Sequence, residues 1–415
     1  MYQCCEPLKV VSPVPKAVFK AKKFMPVNLR PLIIMLALIA AIHPAPAQPT
    51  LRITTAGGQS VLSWPTNIGN YLLQSSTNLA SRNWQTFSNP IPVTLGSNLA
   101  VTIANSSKAM FFRLYRDTNA PSGIAGMVLI PAGEFTIGDT LDGENDALPT
   151  NVTVSAFYME SNLVTYSTWQ PVYDWATNNG YGFVNAGEGK LASHPVQKLN
   201  WHDCVKWCNA RSQQTGLAPV YYADAGFSQL YTNGESTQVF ANWTNSGFRL
   251  PTEAEWEKAA RGGVSGQRFP WGNTIDWSQA NYYSYWITDT NQTFTNYFTY
   301  DLAPTNGYAP VFNDGVVPYT SPVGSFAANG YGLYDMAGNV QEWCWDWYDD
   351  NLTSTGSPYA GGTDPRGPTS SPYALRVSRG GSWINKANLA PCAQRTIHSP
   401  NLALNSFGLR CVRAP

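Results

Sequence analysis

From about Gly126 to the end of the chain, helical patterns are few and short. Apolar periodicity predicts helices over 166–178 and 201–215, and a third that begins at Thr252. Between them run long stretches rich in Asn, Gly, Tyr and Trp, the longest over 273–313. Loops of that length inside a compact domain need something to fix them, and cystines, metal ions and packed aromatic rings are the available agents. The chain offers candidates for all three. With 15 Trp and 22 Tyr it is too rich in aromatics for disorder. Charged residues are 13% of the chain, against ~25% for an average soluble protein. Lys+Arg and Asp+Glu both count 26, so nothing suggests a basic groove for nucleic acid or a polybasic patch for a membrane surface.

The first 47 residues read as an export signal. Lys16, Lys20, Lys22, Lys23 and Arg30 precede an apolar run over 32–42, and Ala45-Pro46-Ala47 follows as a small-x-small cleavage site. The run is about half the ~20 residues that span a bilayer, so cleavage before Gln48 is expected rather than anchoring. A signal of ordinary proportions would start at Met25, which is the expected true start. The expected location is the periplasm, the cell surface or the exterior. Cys4 and Cys5 leave with the signal, and Cys204, Cys208, Cys344, Cys392 and Cys411 remain. In an oxidising compartment most should pair, with one left over.

Residues 48–116 carry β-rich runs at 60–64, 70–75, 84–87, 99–103 and 110–115, separated by closely spaced turns. They predict a small all-β module without histidine or cysteine, of spacer or adhesion type. Residues 117–123, with Asn119-Ala120-Pro121, read as a linker, so the second domain is expected over 124–415.

Three motifs in that domain stand out. In Arg249-Leu250-Pro251-Thr252-Glu253-Ala254-Glu255-Trp256-Glu257, Thr252 and Glu255 have the spacing of a capping box, and Gly262-Gly263 should stop the helix. Its acids alone read as ordinary first-turn charges. Asp335-Met336-Ala337-Gly338-Asn339-Val340-Gln341-Glu342-Trp343 sets two carboxylates and an Asn around a glycine turn. Unaided, it reads as a helix cap beside a surface acid; a hard cation seeking six to eight oxygens is the alternative. The third is Arg379-Gly380-Gly381-Ser382-Trp383, followed by Gly408-Leu409-Arg410-Cys411. His194 and His202 read as packing or capping residues, and no Ser/His/Asp set, phosphate loop or zinc signature occurs.

Together and in this order, with Met127 to Gly133, His194-Pro195-Val196, Asn200-Trp201-His202-Asp203 and Phe269-Pro270-Trp271-Gly272-Asn273, these segments resemble the formylglycine-generating-enzyme, or sulfatase-modifying-factor, family. The resemblance covers residues 124–415. It implies an α+β, C-type-lectin-like fold that is loop-rich and calcium-stabilised. One structural calcium would use Asn281 with the Tyr282 carbonyl, and Asp314 with the Val316 carbonyl. A second would use Asp335, Gly338, Val340 and Glu342. The resemblance also implies a Cys208–Cys411 disulfide; Cys204–Cys392 is the further pairing expected, leaving Cys344 over.

Active members resemble oxidases that hold copper(I) on two cysteines shortly after the Gly-Gly-Ser element and convert a sulfatase cysteine to formylglycine. A soft cuprous ion prefers thiolates, and a linear site needs two. Here the interval after Ser382 holds no cysteine before Cys392, which matches a structural cystine of the family; the nearer catalytic position falls on Ala387. No copper is therefore expected. Ser382 matches a family serine that lines the oxygen and thiol pocket, and equally fits a simple turn. The expectation is an exported binding or structural scaffold for a peptide, protein or glycan, with Tyr282, Tyr283, Tyr285 and Trp286 as candidate contact residues unless they are core. The alternative is an active oxidase with a rebuilt thiol site.

Overall fold

The computed structural model describes residues 50–56, 58–65, 71–77, 84–86, 93–95, 98–104, 110–116, 126–288 and 293–415. The expected signal and the 117–123 linker lie outside these residues.

Between Arg52 and Arg116 the described residues form strands β1 (Arg52–Ala56), β2 (Gln59–Pro65), β3 (Tyr71–Ser76), β4 (Gln85–Thr86), β5 (Val93–Leu95), β6 (Asn98–Ala104) and β7 (Phe111–Arg116). One sheet has the order β1-β2-β6-β5, the other β4-β3-β7. Alternation turns Leu62 and Trp64 of β2, Leu73 of β3 and Val101 of β6 into one apolar cluster, the pattern of two half-buried antiparallel sheets.

Beyond Gly126 the regular structure is sparse. The leading strands are β8 (Met127–Ile130), β9 (Gly133–Ile137), β10 (Thr150–Val154) and β11 (Phe157–Glu160), followed by helices α1 (Tyr166–Thr177) and α2 (Trp201–Gln214). Two-residue strands β12 (Tyr221–Tyr222) and β13 (Phe240–Ala241) precede α3 (Glu253–Ala260). Then come β14 (Tyr283–Ser284), β15 (Trp286–Thr288), β16 (Phe294–Asn296), β17 (Gly307–Tyr308), β18 (Gln341–Trp347), β19 (Gly362–Thr363), β20 (Arg376–Arg379), β21 (Thr396–His398), β22 (Phe407–Gly408) and β23 (Val412–Arg413). The site is built around the sheet β21-β20-β18-β22. A separate sheet, β23-β11-β8, ties the last strand to the first ones of this region. This is the α+β, loop-rich architecture expected.

Each helix starts where the sequence supplies a cap. The Thr165 hydroxyl accepts from the Thr168 amide at 3.1 Å, and Asn200 Oδ1 from the Asp203 amide at 2.8 Å. At α3 the Thr252–Glu255 capping box is complete in both directions. α2 is buried nearly all round, because Trp201, Cys204, Trp207 and Cys208 all face apolar neighbours. The Trp207 indole lies flat on Trp169 of α1, with ring centroids 5.1 Å apart.

The acids of α3 are more than the ordinary first-turn charges expected. Glu253 and Glu257 are fully buried. Arg395 grips Glu253 at 2.7 and 3.1 Å; Arg261 and Arg379 hold Glu257 at 2.7 and 2.5 Å. Charges desolvated to this degree persist because each meets an opposite charge and further hydrogen bonds. Aromatic packing holds the described part of 293–313: Phe298 stacks on Tyr300, Phe269 meets Tyr300 edge-on, and Arg268 sits 4.2 Å over the Tyr300 ring. Among the described residues, no helix is long and apolar enough to cross a membrane.

Candidate functional site

Strand β20 runs into Gly380 and Gly381, both at positive φ (87° and 67°). A Cβ at Gly380 would stand 3.1 Å from the Trp256 ring, and one at Gly381 2.8 Å from the Leu389 carbonyl, so the turn needs glycine at both positions. It delivers Ser382 into the interior with no exposed surface. The Ser382 hydroxyl donates to Asn385 Oδ1 at 2.5 Å, and Gln341 Nε2 donates to the same oxygen at 2.7 Å. Gln341 Oε1 accepts from Ser378 Oγ at 2.8 Å and lies 3.1 Å from His398 Nε2. Burial pushes the His398 pKa down to about 4, which keeps the ring neutral at pH 7. The serine proton thus points at an amide oxygen, not at a base, and the group is a closed polar network instead of an activated nucleophile.

Ala387 starts a short 3-10 turn (Ala387–Leu389) and is fully buried against Ala280, Tyr282, Ala337 and Ala390. Cys392 is also buried, with its amide donating to the Arg268 carbonyl at 2.7 Å. Desolvation pushes its thiol up to about 12, so it is protonated at neutral pH.

The turn expected to hold one calcium packs on the segment expected to hold the other. The Asn339 amide donates to the Asn281 carbonyl at 2.8 Å, and a Cβ at Gly338 would lie 2.4 Å from that oxygen. Asp335 is buried at φ 55°; its Oδ2 accepts from the Gly324 amide at 2.7 Å while Oδ1 has no partner. Burial raises its pKa to about 6. A buried, desolvated carboxylate oxygen without a hydrogen-bond donor has the chemistry of a hard-cation ligand. Glu342 is committed elsewhere: both oxygens are held at 3.0 Å by Arg410.

The other set is spoken for. Lys190 Nζ lies 2.7 Å from Asp314 Oδ1 and donates to the Val316 carbonyl at 3.0 Å. The Tyr282 carbonyl accepts from the Trp277 indole at 3.2 Å, and Asn281 Nδ2 donates to the Tyr319 carbonyl at 2.8 Å. With the Lys190 ammonium on Asp314 and Val316 and an indole on the Tyr282 carbonyl, the set as arranged does not fit a calcium ion. Among the described residues no group of three or more His, Cys, Asp or Glu side chains could hold a metal.

The cysteines divide between cores. Cys208 and Cys411 bring their sulfurs to 3.7 Å, with Cys204 in the same apolar cluster. Cys392 and Cys344 belong to the cluster around α3, so the structure does not bring Cys204 and Cys392 together. All five are free thiols here. His202 and His194 are packing residues: His202 Nδ1 meets the Tyr231 hydroxyl at 3.0 Å, and His194 Nδ1 meets the Thr320 hydroxyl at 2.9 Å.

Of the candidate aromatics, Tyr282 is core, its hydroxyl donating to Asp301. Tyr283, Tyr285 and Trp286 are half-buried. Tyr283 packs edge-on against Tyr308, and Tyr308 and Tyr319 both pack against Trp383, next to Ser382. Across β15 and β16 the Trp286 and Phe294 ring centroids lie 5.4 Å apart, and Tyr285 lies against Tyr297; Phe294 and Tyr297 are more than half exposed. Lys386 Nζ sits 3.5 Å over the Tyr285 ring, linking this face to the Ser382 turn. Gln341, Ser378, Asn385, His398 and Lys190 were not singled out from sequence. An Asn three positions after Ser382 was the single local signal.

A loop-rich α+β domain with a Gly-Gly-Ser turn on a central sheet defines the class. The family model for the sulfatase-modifying factor enzyme 1-like domain matches residues 115–415, and the chain belongs to that family. The formylglycine-generating enzyme of Thermomonospora curvata is 39% identical over 316 residues, covering 71% of this chain and 96% of that protein. The mouse formylglycine-generating enzyme is 30% identical over 335 residues, 74% and 82% respectively. The "Chaperone protein LppX" of Paenibacillus barcinonensis is 29% identical over 294 residues, 69% of this chain and 89% of that protein. Among solved structures, Treponema denticola variable protein 1 superposes with a TM-score of 0.51 at 27% identity, covering 70% of this chain and 95% of that one.

Proposed function

We propose that this protein is an exported, non-catalytic member of its family that binds a peptide, protein or glycan on the aromatic face beside Ser382. One observation carries the reading. Ala387 stands, fully buried among Ala280, Tyr282, Ala337 and Ala390, at the position matched to the nearer copper-binding cysteine. The remaining nearby thiol, Cys392, is buried and protonated, and one thiol does not make a two-thiolate copper(I) site. Ser382 has spent its hydroxyl on Asn385. What the face offers is contact area: Tyr283, Tyr285, Trp286 and Tyr297 present amphipathic rings and Phe294 an apolar one, side chains suited to binding at low entropic cost. A protein or peptide ligand is in keeping with a relative that bears the name of a chaperone.

Asp335, with the Gly338 and Val340 carbonyls, would hold a structural calcium; it would neutralise the orphaned carboxylate oxygen and stiffen the turn beneath the site. Export rests on the apolar run over 32–42 and the cleavage pattern after it.

The test pairs two measurements on the purified protein. Copper(I) is titrated against a chromophoric chelator, and a Cys-x-Pro-x-Arg peptide is incubated with copper and oxygen and weighed by mass spectrometry. The reading expects no competition for copper and no mass loss at the peptide cysteine. It also expects hits on peptide or glycan arrays that Trp286→Ala with Phe294→Ala removes. Copper-dependent formylglycine formation abolished by Cys392→Ala would replace this reading with the oxidase.

A further inference from the structure

Lys190 is not an ordinary surface lysine. Its side chain is only 14% exposed, although it lies in a loop. That loop is a rigid platform. Glu188 and Gln197 exchange backbone hydrogen bonds at 2.9 and 2.8 Å across its base. A Cβ at Gly189 would stand 2.3 Å from Tyr166, so the neighbouring residue is pressed onto α1. The Ser193 carbonyl accepts from the Val323 amide at 2.9 Å, and His194 bonds Thr320, so the platform is also stitched to the far end of the segment it faces.

From this base the ammonium reaches across to the loop over 309–319. It meets Asp314 Oδ1 at 2.7 Å and the Val316 carbonyl at 3.0 Å, and the Tyr319 ring is 5.8 Å away. These are the carboxylate and carbonyl that the family resemblance assigned to a calcium ion. Calcium at about 2.3–2.6 Å from these groups would sit against the Lys190 ammonium, and like charges at that range repel. Of the other two expected donors, the Tyr282 carbonyl already accepts from the Trp277 indole.

We infer that Lys190 is a covalently tethered substitute for the calcium ion at this loop, so that the segment over 309–319 is fastened without metal. An ammonium supplies the positive charge and the hydrogen bonds that gather Asp314 and Val316, and being part of the chain it cannot dissociate. The fastened loop carries Tyr319, which packs on Trp383 beside Ser382, so the wall of the site keeps its shape whether or not calcium is present. This holds independently of whether the aromatic face binds a ligand.

Hydrogen exchange of the loop over 309–319, followed by mass spectrometry in calcium and in chelator, tests the substitution, with calcium uptake measured by equilibrium dialysis. In the wild-type protein the loop exchanges at the same rate in both buffers, and Asp314→Asn leaves calcium uptake unchanged. Lys190→Met opens the loop, raising its exchange about tenfold in chelator. In that variant calcium restores protection and binds one further equivalent, while Lys190→Arg behaves as wild type. The inference is overturned if chelator deprotects the wild-type loop, if Asp314→Asn costs the wild-type protein a calcium equivalent, or if the Lys190→Met loop stays protected in chelator. Should Lys190→Met not fold, the wild-type and Asp314→Asn measurements decide alone.

Discussion

Arg410 closes on Glu342 with two hydrogen bonds of 3.0 Å, and neither side chain keeps more than a trace of exposed surface. The remaining guanidinium donors reach the carbonyls of Glu160, Ser161 and Tyr334, so a single side chain gathers the ends of β11, the turn before β18 and the chain's last strand. Arg410→Met would strand a buried carboxylate and three carbonyls. The expected cost is ~3–5 kcal/mol, read as a drop in the urea midpoint. Arg410→Lys should recover only a small part, because an ammonium cannot span the planar fork. A double variant with Glu342→Gln should be less destabilised than Arg410→Met alone.

The amide of Asn385 is the hub of the Ser382 network. Asn385→Ala leaves both the Ser382 hydroxyl and the Gln341 amide without their partner. A loss of ~1–3 kcal/mol is expected, against ~1 kcal/mol for Ser382→Ala, which removes one donor and keeps the Gln341 bond. Denaturant unfolding of the two variants orders them; equal effects would show that the hydroxyl is not held through Asn385.

Cys208 and Cys411 are separated by 203 positions and meet at 3.7 Å in a sealed core. In an oxidising compartment the pair should form a disulfide, visible as a cross-linked peptide in a non-reducing digest. Closing a loop of that size is worth ~3–5 kcal/mol in the chain-entropy model, so reduction or Cys411→Ser should lower the melting temperature. Cys344 and Cys392 should stay unlinked and react with a thiol reagent only after unfolding.

Two buried histidines set an acid limit. Burial takes His202 down to about 3, with Arg376 and Lys206 adding to the shift, and burial takes His398 down to about 4, both from 6.5. As pH falls below 6.5 the unfolded chain binds protons that the folded chain refuses, so stability declines until the folded pKa values are reached, and the penalty then levels off. Each histidine should contribute roughly 1–3 kcal/mol to that decline. Urea midpoints between pH 7 and pH 4 should slope downward, and His398→Asn should flatten the slope.

Features carried by neighbouring residues were legible in the sequence. The α3 capping box lies within four positions, the Gly-Gly turn delivers the next residue, and both appear where the motifs put them. What escaped was set by partners far along the chain. Glu253 and Glu257 look like surface acids until Arg395 and Arg379 arrive from 142 and 122 positions away. Gln341 reaches Asn385 across 44 positions and His398 across 57. Lys190 meets Asp314 over 124, and no periodicity or local spacing announces that an ammonium will stand among those oxygens. Tyr282 has the same residue type as its neighbour Tyr283, and only the packing against Asp301 and Ala387 separates core from surface.

Strand β23 pairs with β11, and Val412 exchanges hydrogen bonds of 2.9 and 2.8 Å with Arg249, while Leu409, Arg410 and Cys411 fill the interior. A chain cut before Phe407 would therefore hold β8, β11, both long helices and α3 without the piece that seals them together. The core closes only when that segment is in place. Without it Glu342 loses its arginine partner and Glu160 loses the Cys411 amide, so two buried carboxylates are left short of hydrogen-bond donors.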